Sequence, residues 1–241
     1  MGFSGDLVGK VEKGTRPPTP EFTRHADRVF TALWPPFDGH FARIRELAVR
    51  AGYEEWFQDW VDAEREAVEL CSWQQTIVDG LLQTREYARA ILRALPGVTD
   101  EQAEQQTDAR MERQAVLAKE DAPFVWSVMD EDVLHRCVGS RETMRDQCAH
   151  LLKAGENPRI RILIVPRSAG AHAGLAAGFV IASFRESADL VYLAGTAQGR
   201  ITGSPATVRQ LARVFDTLRA EALSPRASAE LITEVMETWT T

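Results

Sequence analysis

The segment at residues 73–92, WQQTIVDGLLQTREYARAIL, constrains the fold more tightly than any other part of the sequence. Gly80 marks a turn, because glycine adopts tight or left-handed backbone conformations at little steric cost. Thr84 suits an N-cap, since its hydroxyl accepts a hydrogen bond from a free N–H group in the first turn of a helix. Apolar residues then recur at helical spacing. The segment therefore predicts a turn that leads directly into a helix with one buried face.

Apolar runs in the second half of the chain predict strands. Residues 159–165, RIRILIV, alternate strictly and give the clearest strand, and runs at 123–129, 178–184 and 189–194 give three more. Short loops join several of these runs, and two helices close the chain, an order typical of antiparallel strands covered by helices. The predicted fold class is α+β, with helices packed on a small, mostly antiparallel sheet.

The composition excludes several classes of protein. The formal net charge of −7 argues against a surface that attracts nucleic acid as a whole. No apolar run has the length of a transmembrane helix and the first residues lack a signal-peptide core, so we expect no membrane contact and a cytoplasmic location. The three cysteines are odd in number and include no CxxC pair, which favours neither a disulfide framework nor a zinc site. No nucleotide-binding motif is present, and we expect neither a metal nor a cofactor.

Residues 1–34 form the first predicted domain, a partial helix-turn-helix. Helices are expected at 5–13 and 21–33, with a proline-rich turn between them. The run VGKVEKGTRPPTPEF is very similar to the recognition helix, loop and following helix of XRE-type (lambda-repressor-like) helix-turn-helix domains. In that family two further helices come before the recognition helix. Because the sequence begins at the turn, we expect those two helices to be absent.

DNA contacts by this domain would come from a few polar residues. The candidates are Ser4, Lys10, Lys13 and Arg16, which suit phosphate groups and therefore position a protein without specifying a base sequence. Asp6 carries the wrong charge at a recognition position. We therefore expect DNA as a partner only if the helix-turn-helix is complete.

Residues 35–54 are predicted as a linker with a connecting helix, and residues 55–241 as an α+β domain that senses a ligand or binds a partner. Aromatic residues recur at helical spacing across 53–60. Such a stripe is more often part of a core than the wall of a ligand site, and both interpretations stay open. The glutamates of 64–69 are expected on a solvated helix face.

The α+β domain contains few candidates for chemistry. His172 lies in AGAHAGLAAG, where small neighbours allow a ligand or another chain to approach, although a loop histidine bonded to local carbonyls is the commoner arrangement. Asp130 and Glu131 follow a strand and suit either acid–base chemistry or the start of a helix. Arg113 and Gln114 suit either an anion or internal pairing. The candidate ligand-binding residues are Trp56, Trp60, Trp73, Gln83, Tyr87, Arg113, Gln114, Trp126 and His172.

Five runs, in this order, carry a wider resemblance: GLLQTREYARAI, DARMERQAVL, VMDEDVLHRCVGSRETMRDQCAHL, VPRSAGAHAGLAAGFVIASF and ALSPRASAELI. Together they resemble the C-terminal domain of actinobacterial antitoxin-like regulators, in which an XRE helix-turn-helix precedes a domain of unknown function. The likeness covers about residues 55–237, with Asp79 where the family usually has proline. It implies a transcriptional regulator of development or secondary metabolism, often beside a small partner protein, and it brings no catalytic residues.

Three functions follow from these observations. The first is a regulator whose α+β domain binds a small metabolite or a small protein partner. The second is a regulator fold recruited as a biosynthetic enzyme of cyclase type, in which the aromatic candidates wall an apolar pocket for a polyketide-like substrate. The third is a protein-interaction module whose N-terminal helices form a homodimer surface. An enclosed pocket among the aromatic rings favours the enzyme, and a solid core there argues against it.

Overall fold

A computed structural model of the chain describes residues 3–12, 18–33, 39–50, 55–195 and 198–240. Within these ranges, helices and a sheet combine into an α+β architecture, which confirms the fold class predicted from the sequence. Two of the DNA-binding candidates, Lys13 and Arg16, lie outside the described residues, as does the side chain of Trp56. No helix in the described ranges has the length and apolar character needed to cross a bilayer.

The helices and strands are numbered in chain order. The helices before the first strand are α1 (Gly5–Glu12), α2 (Pro20–Leu33), α3 (His40–Arg50) and α4 (Glu55–Glu66). The later helices are α5 (Arg85–Arg93), α6 (Asp100–Arg113), α7 (Asp132–His135), α8 (Arg141–Ala154), α9 (Pro205–Glu221) and α10 (Pro225–Thr238). The strands are β1 (Glu69–Gln74), β2 (Phe124–Asp130), β3 (Ile160–Val165), β4 (Phe179–Ser183), β5 (Leu190–Leu193) and β6 (Arg200–Thr202).

The described strands form one sheet in the order β3-β2-β1-β4-β5-β6. Three neighbouring pairs are antiparallel, β1 with β4, β4 with β5 and β5 with β6, so the sheet is mostly antiparallel as predicted. The pairs β1–β2 and β2–β3 are parallel. Parallel neighbours need a long crossover connection. Here α5 and α6 link β1 to β2, and α7 and α8 link β2 to β3.

Strand β1 begins within residues 64–69, where a helix is expected from the sequence. Helix α4 ends at Glu66, and the chain enters the strand at Glu69. The strand lies between β2 and β4, so both of its backbone edges find partners. Its side chains Leu70 and Trp73 are buried on opposite faces of the sheet. This central position outweighs the local preference of the preceding alanines and glutamates for helix.

The two faces of the sheet support separate hydrophobic clusters. The larger cluster joins one face to α4, α5, α8 and α10, with Met129 and Ile164 among its fully buried members. The smaller cluster joins the opposite face to α9 through Val128 and Phe215. Because side chains alternate along a strand, neighbouring residues of one strand belong to different clusters. The sheet therefore separates groups that lie close together in the sequence.

The connection between β3 and β4, residues 166–178, positions the candidate histidine. Strand β4 pairs with β1, whereas β3 lies two strands away, beyond β2. The connection must therefore cross the carboxyl ends of β2 and β1 to reach its pairing partner. This path brings His172 to the end of β2 and Gly174 to the side chain of Trp73.

The predicted turn and cap at residues 73–92 are confirmed. Asp79 accepts a hydrogen bond from the N–H of Leu81 and caps a single 3₁₀ turn at Gly80–Leu82. Thr84 then accepts from the N–H of Tyr87 and caps α5, which buries Tyr87 and Leu92. The side-chain caps satisfy amide groups that a helix start leaves without partners, so they fix where each helix begins.

Candidate functional site

A groove of about 1140 Å³ lies between the N-terminal helices and the pair α5–α6. Its wall on the N-terminal side is apolar, because α2 contributes a row at i, i+4, i+7 and i+8 within residues 22–30. Phe30 and Ile44 are 39% and 45% exposed, so the wall is open to an occupant. The apolar residues that line the groove are Phe3, Val8, Val11, Pro18, Phe22, Ala26, Val29, Phe30, Phe41 and Ile44.

The opposite wall of the groove is charged. Helix α5 carries arginines and α6 carries carboxylates, each at four-residue intervals, so each set forms one row along its helix. The two rows pair across the helices, and we call this arrangement the α5–α6 zipper. Its ion pairs are Arg85 with Glu104 and Asp108, Arg89 with Glu104 at 3.1 Å, and Arg93 with Asp100 at 2.7 Å.

The N-terminal helices α1–α3 attach to the helices that surround the sheet mainly through contacts between α3 and α6. Arg45 of α3 forms an ion pair with Glu112 of α6, and both side chains are largely buried. The Nε of Arg45 also donates to the carbonyl of Pro18 at 2.9 Å, which ties α2 to the same point. Asp27 accepts from the amide of Phe41 at 2.8 Å and so holds the start of α3 against α2. The groove therefore lies beside a defined attachment point.

The GLLQT run is fixed by a buried glutamine from α8. The Nε2 of Gln147 donates to the carbonyl of Leu82 at 2.7 Å, and its Oε1 accepts from the amide of Thr84 at 2.7 Å. Gln147 is 1% exposed, so both hydrogen bonds are shielded from water. Both the N–H donor and the oxygen acceptor of this buried amide are paired. The amide therefore holds the GLLQT run in place, because losing either hydrogen bond would leave a buried polar group unsatisfied.

Gln83 and Gln114, both predicted as ligand contacts, instead bond to the chain itself. Gln83 donates from Nε2 to the carbonyl of Val78 at 2.6 Å and accepts from Arg110 at 2.9 Å. The amide of Gln114 donates to the carbonyls of Gly80 and Gln83, at 3.2 and 2.8 Å. These bonds join the turn before α5 to the end of α6, which gives both glutamines an internal role in this structure.

Glu64 is buried, contrary to the expectation of a solvated face at residues 64–69. Its carboxylate accepts from Arg113 at 2.5 and 3.0 Å and from the indole of Trp60 at 2.8 Å. Burial raises the pKa of Glu64, and the charge and hydrogen bonds of Arg113 act against that rise. The guanidinium of Arg113 also stacks over Phe57, 5.1 Å from the ring centre. Arg113 therefore pairs internally, with a carboxylate that lies in the core.

The aromatic candidates do not wall one pocket. Trp60 and Tyr87 belong to the cluster on one face of the sheet, whereas Trp73 and Trp126 belong to the cluster on the other. Trp60, Trp73 and Tyr87 are at most 1% exposed, and Arg219 covers the Trp126 ring at 5.2 Å. These four residues therefore do not form the single aromatic-walled pocket that the enzyme hypothesis expects. The sheet lies between the two pairs.

His172 and Asp130, singled out separately from the sequence, lie together at the end of β2. The Nε2 of His172 is 3.0 Å from Asp130 Oδ2, and its Nδ1 accepts from the amide of Gly174 at 3.2 Å. The latter bond assigns the ring proton of a neutral histidine to Nε2, which then donates to Asp130. The ring meets Trp73 edge to face, 5.3 Å away, and its side chain is 4% exposed. This pair fixes the 166–178 connection against the sheet.

The described DNA-binding candidates are occupied by local contacts. Ser4 accepts from the amide of Leu7 at 3.3 Å and so caps α1. Lys10 pairs with Asp6 at 2.9 Å on the same helix and also lines the groove. In the described part of the chain, no group of three histidine, cysteine or carboxylate side chains stands together in a way that would hold a metal ion.

The sequence-derived set missed the groove and the buried partners Glu64 and Gln147. The signal for the groove is the amphipathic row of α2, which indicates an apolar face without indicating what covers it. Glu64 and Gln147 gave no signal, since Arg113 lies 49 positions from Glu64 and the partners of Gln147 lie 63 or more positions away. Long-range pairing of this kind is set by the tertiary fold.

The protein thus combines a mixed α+β domain with N-terminal helices, and a groove lies between these helices and α5–α6. Comparison with models of protein families matches residues 57–234 to the family described as Domain of unknown function (DUF5753). The match covers most of the chain, and the protein belongs to this family. Comparisons with curated proteins and with solved structures find no match.

Proposed function

We propose that this protein is a ligand-responsive regulator in which a small metabolite binds in the groove between α1–α3 and α5–α6. The observation that carries the proposal is that the N-terminal helices and the DUF5753 domain each supply one wall of the groove. Its volume of about 1140 Å³ is sufficient for a metabolite, and pockets of this kind combine apolar walls with a few polar groups.

An occupant of such a groove would couple the two parts of the chain. A ligand that touches both walls binds best in one relative position of the walls, and it shifts the population toward that position. The attachment through Arg45 and Glu112 lies at one point of α6, which supports small rearrangements of α1–α3 about it. The N-terminal helices would then report the bound state.

The output proposed for these helices is DNA binding of the XRE type. The support is the resemblance of α1 and α2 to a recognition helix and the helix after it, together with the DUF5753 family match. The actinobacterial regulators that the sequence resembles, and a cytoplasmic site of action, belong to the same proposal. Because Lys10 already pairs with Asp6, binding is expected only with a complete helix-turn-helix. Gel-shift binding that fades as salt rises supports this part, and its absence removes it.

The alternatives have less support. The cyclase hypothesis needs one aromatic-walled pocket, and the described rings lie on opposite faces of the sheet. An interaction module or homodimer would use the same exposed apolar wall. The groove, however, has a charged second wall supplied by the protein itself, which suits a ligand held between two surfaces better than a flat contact with another chain.

The test is a fluorescence titration with N-phenyl-1-naphthylamine, a neutral apolar dye. We expect saturable binding to the full chain and binding weakened about tenfold in Phe30→Glu, because burying an aromatic ring against a ligand contributes more than 1.4 kcal/mol. The matched control is Phe124→Glu, which places the same charge at another exposed phenylalanine, 51% exposed and away from the groove. Equal dye affinity in Phe30→Glu and Phe124→Glu would overturn the proposal.

A further inference from the structure

We infer that the groove selects amphipathic cations, ligands with an apolar body and a positively charged head group such as an ammonium. This inference rests on the proposed function, since it names the ligand class of the same groove. The two walls differ in character, with α2 apolar and α5–α6 charged. An occupant that satisfies both walls must therefore be apolar on one side and polar on the other.

The sign of the head group follows from the ion pairs along the groove. The arginines and carboxylates of the α5–α6 zipper neutralise one another, and Lys10 pairs with Asp6. Two carboxylates that line the groove, Glu12 and Glu101, have no ion-pair partner among the described residues. Glu12 belongs to α1 and Glu101 to α6, so within the described residues each side of the groove carries one carboxylate without an ion-pair partner.

Helix dipoles explain only part of this arrangement. Acidic residues favour the first turn of a helix, which accounts for Glu101 at the start of α6. Glu12 is the last residue of α1, where the dipole disfavours a negative charge. A cation bound beside Glu12 would offset that cost. This charge complementarity favours a cationic occupant over an anionic or neutral one.

The test uses three probes that share a ten-carbon chain and differ only in the head group. Decylamine, decanol and decanoate are each titrated against bound N-phenyl-1-naphthylamine at pH 7, at concentrations below those at which they aggregate, and displacement of the dye is measured. We expect the cationic decylammonium to bind about tenfold more tightly than decanol, and decanoate to bind more weakly than decanol. The advantage of decylammonium should shrink as salt is raised, because exposed charges are screened.

Two variants locate the head-group site. Glu101→Gln and Glu12→Gln should each reduce decylammonium affinity about threefold and leave decanol affinity unchanged. The matched control is Glu142→Gln, which removes one negative charge from the first turn of α8, the same kind of position as Glu101, and lies away from the groove. Equal loss in all three variants would indicate a general charge effect and overturn the inference.

The outcomes separate the inference from the proposed function. If all three probes displace the dye equally well, the ligand class is wrong and the groove remains a binding site. If the dye itself fails to bind, or binds equally to Phe30→Glu, the proposed function fails and the inference fails with it. Preference for decanoate over decylammonium overturns the inference directly, whatever the behaviour of the variants.

Discussion

Trp73 and Gly174 are joined by a hydrogen bond across 101 positions of the chain, from the indole Nε1 to the carbonyl at 2.9 Å. A Cβ added at Gly174 would overlap the indole ring, so only glycine fits there. We expect Gly174→Ala to lower the free energy of unfolding by about 2–3 kcal/mol, because a buried ring with no exposed surface has no room to move aside. Urea denaturation followed by circular dichroism measures this change.

The control for that prediction is Gly155→Ala. Gly155 has a right-handed helical backbone, and a Cβ there would meet the nearest carbonyl oxygens at 3.5 Å, an ordinary contact. Its effect should stay within about 0.5 kcal/mol of zero. Equal stabilities for the two variants would mean that the 166–178 connection does not close on Trp73.

Replacement of Arg113 by methionine should destabilise the fold strongly. The variant leaves the Glu64 carboxylate buried without its cation, and breaking a buried ion pair in this way costs about 3–5 kcal/mol. The double variant Glu64→Leu with Arg113→Met removes both charges and should recover most of that loss. Urea unfolding of the unmodified protein, the single variant and the double variant measures these differences. A double variant no more stable than Arg113→Met would contradict the prediction.

The loss in Arg113→Met should depend on pH in a defined direction. Burial raises the folded-state pKa of Glu64, and removing Arg113 removes the interactions that oppose the rise. A carboxyl with a raised folded-state pKa holds its proton more tightly in the folded state, so stability is highest at low pH and falls as pH rises through that pKa. As the pH is lowered from 8 toward the ordinary glutamate pKa of 4.5, the variant should therefore regain stability relative to the unmodified protein. A constant difference would contradict this account.

The buried amide of Gln147 gives a fourth prediction. Gln147→Leu removes the partners of the Leu82 carbonyl and the Thr84 amide, and each unsatisfied buried group costs about 1–3 kcal/mol. The control is Gln210→Leu on α9, an exposed glutamine, which should change stability little. Thermal unfolding compares the two variants, and similar melting temperatures would show that the GLLQT run is held by other contacts.

Local signals in the sequence predicted local features of the fold. The cap at Thr84 and the alternation of 159–165 are determined by neighbouring residues, and the structure confirms both. Strand β1 escaped prediction because its identity depends on its place between β2 and β4 rather than on its own residues. The fold class followed because most strands and helices carry their own signal.

The site was predicted less well, for a physical reason. His172 and Asp130 were each identified, but their pairing depends on a connection that crosses two strands. Trp60 and Trp73 appeared as one aromatic set, whereas Trp60 on α4 packs against one face of the sheet and Trp73 on β1 lies on the other face. Periodicity indicates which side chains are buried, and only the strand order indicates which buried side chains meet.

The last prediction concerns thiol reactivity. Burial raises the pKa of Cys71 to about 12 and that of Cys148 to about 11, so both are almost entirely protonated at pH 8. Alkylation requires the thiolate, and at pH 8 only about one Cys71 thiol in ten thousand carries the charge. Cys137 is exposed.

We therefore expect iodoacetamide to modify the folded protein once, at Cys137, within the time needed to modify a free thiol. In urea all three cysteines should react, because unfolding removes the desolvation that raises the two pKa values. Peptide mass spectrometry after timed quenching assigns the modified sites. Cys137→Ser provides the control, since its folded form should resist modification while its unfolded form accepts two groups. Rapid modification of Cys71 in the folded protein would mean that α9 does not cover that face of β1.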